Sequence, residues 1–368
     1  MAGKVRNFFA AGHTARGYYS LFNSVLAGLD RLYFLIGGPC TGQSTIIKQI
    51  GDTMSSRGYD IERLHCASDD ASVDGVIVPE LKLGVVDGSA VRTVEPQAPG
   101  AIEEYVNIGV AWDLNQLRKQ KEHIRTRNKQ MTKTFQQAYK TFADALRIHD
   151  EWEKIYIDNL DPVKANNLAH RVIEQMFSDK ALTKPSHVRH MFLGAATPKG
   201  PVDFVQNLTE EMNKRYFIKG RPGSGKSSML KKVAAAAKER GFDAEIYHCG
   251  FDPHSLDMVL LPELKTAIFD STAPHEHFPE REGDEVIDMY AHAIAPGTDE
   301  THATQIHDIR ERYSAKMRQA TSCLSQAKEL WDQLDAIYRH ATDFAKLKEI
   351  QTGIQAEIDA FAAEQATV

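Results

Sequence analysis

Residues 216–231 read Tyr-Phe-Ile-Lys-Gly-Arg-Pro-Gly-Ser-Gly-Lys-Ser-Ser-Met-Leu-Lys. Gly220, Gly225, Lys226 and Ser227 fill the fixed positions of the pattern G-x-x-x-x-G-K-[ST]. The apolar run Tyr216, Phe217, Ile218 predicts a buried strand before the loop, and Met229, Leu230, Val233 and the alanines beyond predict a helix after it. Strand, glycine loop and helix in that order make an anion seat. Glycines let backbone N–H groups wrap a phosphate, and a helix N-terminus favours negative charge. Lys226 is expected to reach the β- and γ-phosphates of a nucleotide, and the Ser227 hydroxyl to sit on Mg²⁺. The expected nucleotide-contacting set is Gly220, Arg221, Pro222, Gly223, Ser224, Gly225, Lys226, Ser227 and Ser228.

The chain repeats this stretch. Residues 33–48 read Tyr-Phe-Leu-Ile-Gly-Gly-Pro-Cys-Thr-Gly-Gln-Ser-Thr-Ile-Ile-Lys, with Gln43 standing where Lys226 stands, an offset of 226 − 43 = 183. At that offset residues 37–90 align with 220–273 without a gap, and 21 of 54 positions are identical. The chain is therefore two copies of one unit. In the first copy Gly37, Gly38, Gly42, Ser44 and Thr45 are the corresponding nucleotide-contacting candidates. Gln43 lacks the cation that balances phosphate charge, and Cys40 replaces a glycine where the backbone must approach phosphates closely. Ser44 and Asp87 are retained, so nucleotide binding there stays open while turnover is expected to be severely reduced. The first unit is expected to be regulatory or structural, with a phosphate site using Arg16 or Arg63 as the alternative.

The 368 residues suggest two domains. A composition of 42% hydrophobic and 26% charged residues is that of an ordinary soluble globular chain, and the net charge of −6 gives no reason to expect nucleic acid or an anionic membrane. Four cysteines (Cys40, Cys66, Cys249, Cys323) form no C-x-x-C pair, which points to a reducing compartment. No run approaches the roughly 18 apolar residues of a membrane span. The expected location is the cytoplasm.

Strands alternating with helices predict an α/β fold with a parallel sheet in each unit. The segment holding Ser72, Asp74, Pro79 and Glu80 is left open between a short helix and an extended stretch. From about 111 the pattern changes. Leu117, Ile124, Met131, Ala138 and Ala145 recur every seven residues, and Pro162 marks a break before a second helix. The spacing predicts a long helical hairpin with a coiled-coil-like seam after each core. The expected layout is a degenerate unit over 1–183 (core about 1–110, hairpin about 111–180) and a competent unit over 184–368 (core about 184–300, hairpin about 301–366). The hairpins are candidate surfaces for a protein partner or a second copy of the chain. Their cations, Arg118 to Lys133, read as a solvated face rather than a nucleic-acid contact.

Asp270 closes an apolar strand after the competent loop, where a carboxylate would complete the Mg²⁺ shell with Ser227. Asp252, just past the second strand, is expected over the same sheet edge, to position an acceptor or to cap a turn. Glu263 is a further candidate for orienting water or acceptor. The candidate catalytic set is Lys226, Asp270, Asp252 and Glu263, and the metal set is Ser227 and Asp270. The polar residues His248, His275, Glu276 and His277 are candidate walls of the site. Arg281, Arg310 and Arg312 are the lid cations that a kinase would need.

The stretches 220–227, 247–253, 255–264 and 268–275 together resemble bacterial NTP-binding proteins built from two fused P-loop halves, labelled ATPase or nucleotide kinase. The resemblance covers essentially the whole chain. It implies a P-loop fold and ATP binding with Mg²⁺, and it names no dependable substrate. Such relatives carry a lysine in the first loop too, where this chain has Gln43. The expected activity is hydrolysis or transfer of the γ-phosphate at the second loop. The alternatives are a small-molecule or nucleotide kinase and an ATP-gated interaction protein with little turnover.

Overall fold

The computed structural model describes residues 2–38, 42–89 and 96–365. In the first unit the strands are β1 (Val5–Phe8), β2 (Ala11–Thr14), β3 (Gly17–Ser20), β4 (Arg31–Ile36), β5 (Ile61–His65), β6 (Val73–Val78), β7 (Leu83–Asp87) and β8 (Glu103–Asn107). Helices α1 (Phe22–Val25) and α2 (Gln43–Ser56) lie among them, and α3 (Leu114–Lys119), α4 (Lys121–Ile157) and α5 (Pro162–Phe177) follow. The second unit repeats the plan. Its strands are β9 (Val188–Phe192), β10 (Gly194–Thr197), β11 (Gly200–Asp203), β12 (Lys214–Lys219), β13 (Ala244–His248), β14 (Leu256–Leu261), β15 (Thr266–Asp270) and β16 (Asp284–Asp288). Its helices are α6 (Val205–Leu208), α7 (Lys226–Glu239), α8 (Met289–Ala293), α9 (Thr298–Thr301), α10 (Ala303–His340) and α11 (Phe344–Gln365).

Each unit builds a six-stranded sheet, ordered β1-β5-β6-β7-β4-β8 in the first and, read from the other edge, β9-β13-β14-β15-β12-β16 in the second. The expectation of parallel sheets needs correction, because β6 and β14 run antiparallel to both neighbours. The physical reason is connection length. A parallel neighbour requires a crossover of a dozen or more residues. Here β6 passes to β7 through the 3-10 turn Pro79–Leu81, closed by Lys82 with a left-handed φ of 46°, and that turn can only reverse the chain. The segment left open in sequence is therefore a strand. All of β6 is buried, so no polar alternation marks it.

The helices after each core do not form hairpins. The seam residues Ala138, Phe142 and Ala145 of α4 are buried, and the first two pack with Ala320, Cys323 and Leu324 of α10, the long helix of the other unit. The two run antiparallel, since Ile155 and Tyr156 near the end of α4 meet Ile306 and Ile309 near the start of α10. Beyond the crossing, each last helix docks on the opposite core. Leu168, Val172, Met176 and Phe177 of α5 join Met229, Leu230 and Val233 of α7 in the second unit's core. Leu347, Ile354 and Ile358 of α11 join Ile46, Ile47 and Ile50 of α2 in the first. Backbone bonds seal both exchanges. The Asp161 N–H donates to the Ala293 carbonyl at 2.8 Å, and the Asp343 N–H donates to the Ala111 carbonyl at 2.8 Å.

The other faces of the sheets share one core, in which Phe8, Phe34 and Leu64 meet Met191, Phe217 and Tyr247. At its margin the repeat offset places one ion pair twice, crossed. Arg6 of β1 reaches Glu245 of β13 at 2.5 Å, and Arg189 of β9 reaches Glu62 of β5 at 2.7 Å. Both carboxylates are buried, so each arginine compensates a charge that the other unit has taken out of water.

Candidate functional site

The second glycine loop joins β12 to α7, as its flanking residues predict. Gly223 and Gly225 hold φ of 74° and 93°, a region that penalises any Cβ. Gly225 is the N-cap of α7, so no side chain caps the helix and its first N–H groups face the loop. Lys226, only 9% exposed, folds back so that its Nζ donates to the Arg221 carbonyl at 3.0 Å. The same Nζ lies 3.6 Å from Asp270 Oδ2. Ser224 Oγ is buried with no hydrogen-bond partner, an orphaned polar atom inside the cradle. Ser227 Oγ accepts the Leu256 N–H at 3.0 Å. Ser228 is exposed. Arg221 turns away to pair with Asp299 at 2.8 Å and lies over the Tyr290 ring.

The structure brings Lys226 and Asp270 together and adds a second carboxyl, that of Asp257. Met258 pairs with Phe269 in the antiparallel ladder, so Asp257 falls beside Asp270 on the α7 side. Burial and the neighbouring Asp270 raise its pKa against His275, the Cys249 thiol and Lys226, leaving it at about 6. Asp270 Oδ1 is held by the Thr272 hydroxyl at 2.6 Å and the Thr272 N–H at 3.1 Å. Asp252 is engaged from the other unit, by Arg16 Nε at 2.7 Å. That same pair removes Arg16 as a cation for the first loop, and Arg63 pairs with Asp52 at 2.7 Å.

Glu263 is not brought to the loop. It lies in the turn Pro262–Leu264, where its carboxylate accepts the Asp243 N–H at 2.8 Å and pairs with Lys184 at 2.8 Å. Because β14 runs antiparallel, the residue after it returns to the edge where β12 and β15 begin, opposite the loop. His248 is spent on His190 and the Pro253 carbonyl, at 2.9 and 2.6 Å. His275 and His277 both bind Asp203, and Glu276 pairs with Lys219. Arg281 donates to the Thr209 and Glu210 carbonyls before β12, and Arg312 pairs with Glu151 and Asp308. Arg310 lies over the Trp152 ring.

The roof of this loop comes from the first unit. A Cβ on Gly223 would stand 2.5 Å from the Glu153 backbone oxygen, so α4 lies directly on the loop. One turn of α4 presents His149, Asp150 and Glu153, with ligand atoms within 4.8 Å of one another. Burial and Lys226 lower the His149 pKa to about 4 against the pull of Asp252, so the imidazole is neutral near pH 7. Burial and Asp150 raise Glu153, against Lys226 and a hydrogen bond from the Gly223 N–H. These residues lie 67 to 71 positions before Gly220, where the loop begins (220 − 153 = 67 and 220 − 149 = 71). A signal that could have found them is the match of Asp150, Ile155 and Tyr156 with Asp332, Ile337 and Tyr338, at an offset of 182.

The described residues of the first glycine loop keep equivalent contacts without the charge of Lys226. Gly42 holds a φ of 102°, and Gln43, 2% exposed, donates from Nε2 to the Gly38 carbonyl at 3.0 Å, the counterpart of the Lys226 bond. Ser44 Oγ accepts the Val73 N–H at 2.9 Å, and Thr45 is exposed. The roof here is α10 and α11. A Cβ on Gly38 would meet Tyr338 at 3.1 Å, and one on Gly42 would meet Leu347 at 3.1 Å. Gly37 leads in from β4, and Cys40 lies outside the described residues.

No family model, no curated protein and no solved structure matches this chain. Among the described residues no helix is long and apolar enough to cross a membrane.

Proposed function

We propose that the second unit is a Mg²⁺-ATP-binding P-loop NTPase site that hydrolyses or transfers the γ-phosphate, and that the first unit is its degenerate partner. One observation carries this reading: the left-handed glycines, the uncapped start of α7, the buried Lys226 and the orphaned Ser224 hydroxyl converge on one concave backbone. Lys226 is held by a loop carbonyl, an acceptor that a phosphate oxygen would replace with a charged one. Ser227 and Asp270 offer hydroxyl and carboxylate oxygens, the hard donors that Mg²⁺ prefers, so the residues fit that ion. A bound Mg²⁺ would supply charge compensation to the phosphates. Asp257, whose carboxyl titrates near neutrality, is better placed than Glu263 to hold or accept a proton beside them.

Binding is tested by titrating wild type and Lys226→Ala with Mg²⁺-ATP, and turnover by ADP release. Unchanged ATP affinity in Lys226→Ala would sink the assignment. The kinase alternative loses support at Arg281, which is engaged before β12 at the edge opposite the loop. The ATP-gated alternative gains it. The helix that roofs the second loop is the one that crosses α10, which in turn roofs the first. Slow turnover with an ATP-dependent change in scattering profile is its expected signature, and identical profiles with and without ATP would remove it.

A further inference from the structure

The turn of α4 that carries Glu153 is seated on the second glycine loop. Three features put it there. The α4 backbone at Glu153 touches Gly223, at a position where only glycine avoids a collision. The Gly223 backbone and Lys226 both favour the charged form of the Glu153 carboxyl, whose Oε1 also lies 3.8 Å from His149 Nδ1. The turn of α4 is held down on both sides. Ile155 and Tyr156 are buried against Ile294, Ile306 and Ile309, and the Tyr156 hydroxyl donates to Asp299 Oδ1 at 2.8 Å. Asp299 in turn binds Arg221 of the loop itself. The roof and the loop thus share an acid, and the Glu153 carboxyl from the other unit lies within the electrostatic reach of Lys226.

Resting on the nucleotide reading above, we propose that Glu153 is a built-in competitor for the phosphates, so that nucleotide enters the second loop only as α4 lifts Glu153 out of it. Two anions cannot share the Gly223 N–H and the Lys226 field. Whichever binds better excludes the other, and each costs the other the same free energy. Nucleotide occupancy is thereby coupled to the crossing of α4 with α10, and through α10 to the roof of the first loop.

The test is the affinity of the full-length protein for Mg²⁺-ADP and Mg²⁺-ATP, measured calorimetrically on wild type, Glu153→Gln, Glu151→Gln and Lys226→Ala. Glu153→Gln keeps the side-chain size and removes the charge. Glu151→Gln removes the same charge two residues away, where Glu151 pairs with Arg312 instead. Glu153→Asp, one methylene shorter, is the second variant should the amide impair folding, and withdrawing the carboxylate gives an effect of the same sign. The expected result is binding about tenfold tighter in Glu153→Gln and unchanged in Glu151→Gln. Binding seen in Glu153→Gln but not in wild type is the stronger form of the same result. Equal or weaker binding in Glu153→Gln, with Lys226→Ala still abolishing it, overturns the competitor and leaves the nucleotide site standing. No binding to any of the four proteins overturns both. A second readout is the emission of Trp152, next to Glu153, in a background with Trp112 and Trp331 replaced by Phe. It shifts on adding Mg²⁺-ADP when α4 moves, and stays constant if the roof is static.

Discussion

The two glycine loops place Lys226 and Gln43 at matching positions, and among the described residues their contacts match while the charge differs. Lys226 and Gln43 each fold back onto the carbonyl five residues earlier, at 3.0 Å in both loops. Ser227 and Ser44 accept the equivalent backbone N–H at 3.0 and 2.9 Å. These contacts thus survive loss of the ammonium. The neighbouring carboxyls register the loss. Asp74, the counterpart of Asp257, is raised by burial and by Asp87 and Asp69, against the Cys66 thiol, to about 8, whereas Asp257 stops at about 6. Lys226 and His275 are the groups that hold Asp257 down and have no counterpart among the causes acting on Asp74.

The largest effect is expected at a second contrast between the units. Arg215 and Asp284 form a buried ion pair at 2.6 Å, both side chains 1% exposed. The first unit places Leu32 opposite Glu103 instead, and Glu103 is satisfied by the N–H groups of Gln97 and Ala98, each at 2.9 Å. Asp284→Ala leaves the Arg215 guanidinium buried beside only neutral acceptors and is expected to cost about 4 kcal/mol in denaturant unfolding. Arg215→Leu recreates the first unit's arrangement, since Asp284 keeps the Glu280 and Arg281 N–H groups at 2.8 and 3.0 Å, and should cost clearly less. An equal loss in both variants would mean that the backbone donors do not compensate the charge.

Next in size is Lys226→Ala, which should weaken Mg²⁺-ATP binding about a hundredfold, the scale of losing one buried charge contact. Gln43→Ala should leave it unchanged. If Gln43→Ala also abolishes binding, the two loops are not functionally distinct.

Gln43→Lys restores the missing cation. The expected outcome is a second bound nucleotide per chain in the calorimetric isotherm, together with a lower Asp74 pKa by carboxyl NMR, moved from about 8 toward the value of Asp257. An unmoved Asp74 would show that His275, and not the lysine, makes the difference.

The last contrast is a pH dependence. An unfolded Asp loses its proton near pH 4. Folded Asp74 keeps it to about pH 8, so the folded chain binds the extra proton between those values and this contribution to stability falls as pH rises through them. For Asp257 the window closes near pH 6. Asp74→Asn should therefore flatten the stability curve between about pH 6 and 8, where Asp257→Asn changes its slope little. Equal slopes for the two variants above pH 6 would erase the contrast.

The sequence by itself determined the repeat, the two glycine loops and most elements. Loop, strand and helix signals are local: Gly223 and Gly225 permit a positive φ, and Pro162 fixes its own, wherever the chain goes. The strand β6 escaped because burial on both faces removes the alternation that marks a strand. Glu263 was misplaced because strand direction depends on a turn whose reversal the residues around Pro262 did not declare. Tertiary structure alone decided which core each last helix covers and which helix roofs each loop. The reason is the repeat itself. Two copies of one unit present nearly the same apolar face, so docking α5 on its own core or on its twin's is chemically alike. Periodicity encodes that a helix has a buried face, and not against what. The antiparallel crossing of α4 with α10 carries each chain end past its own core, and that geometry, absent from any local pattern, brings Glu153 to Gly223.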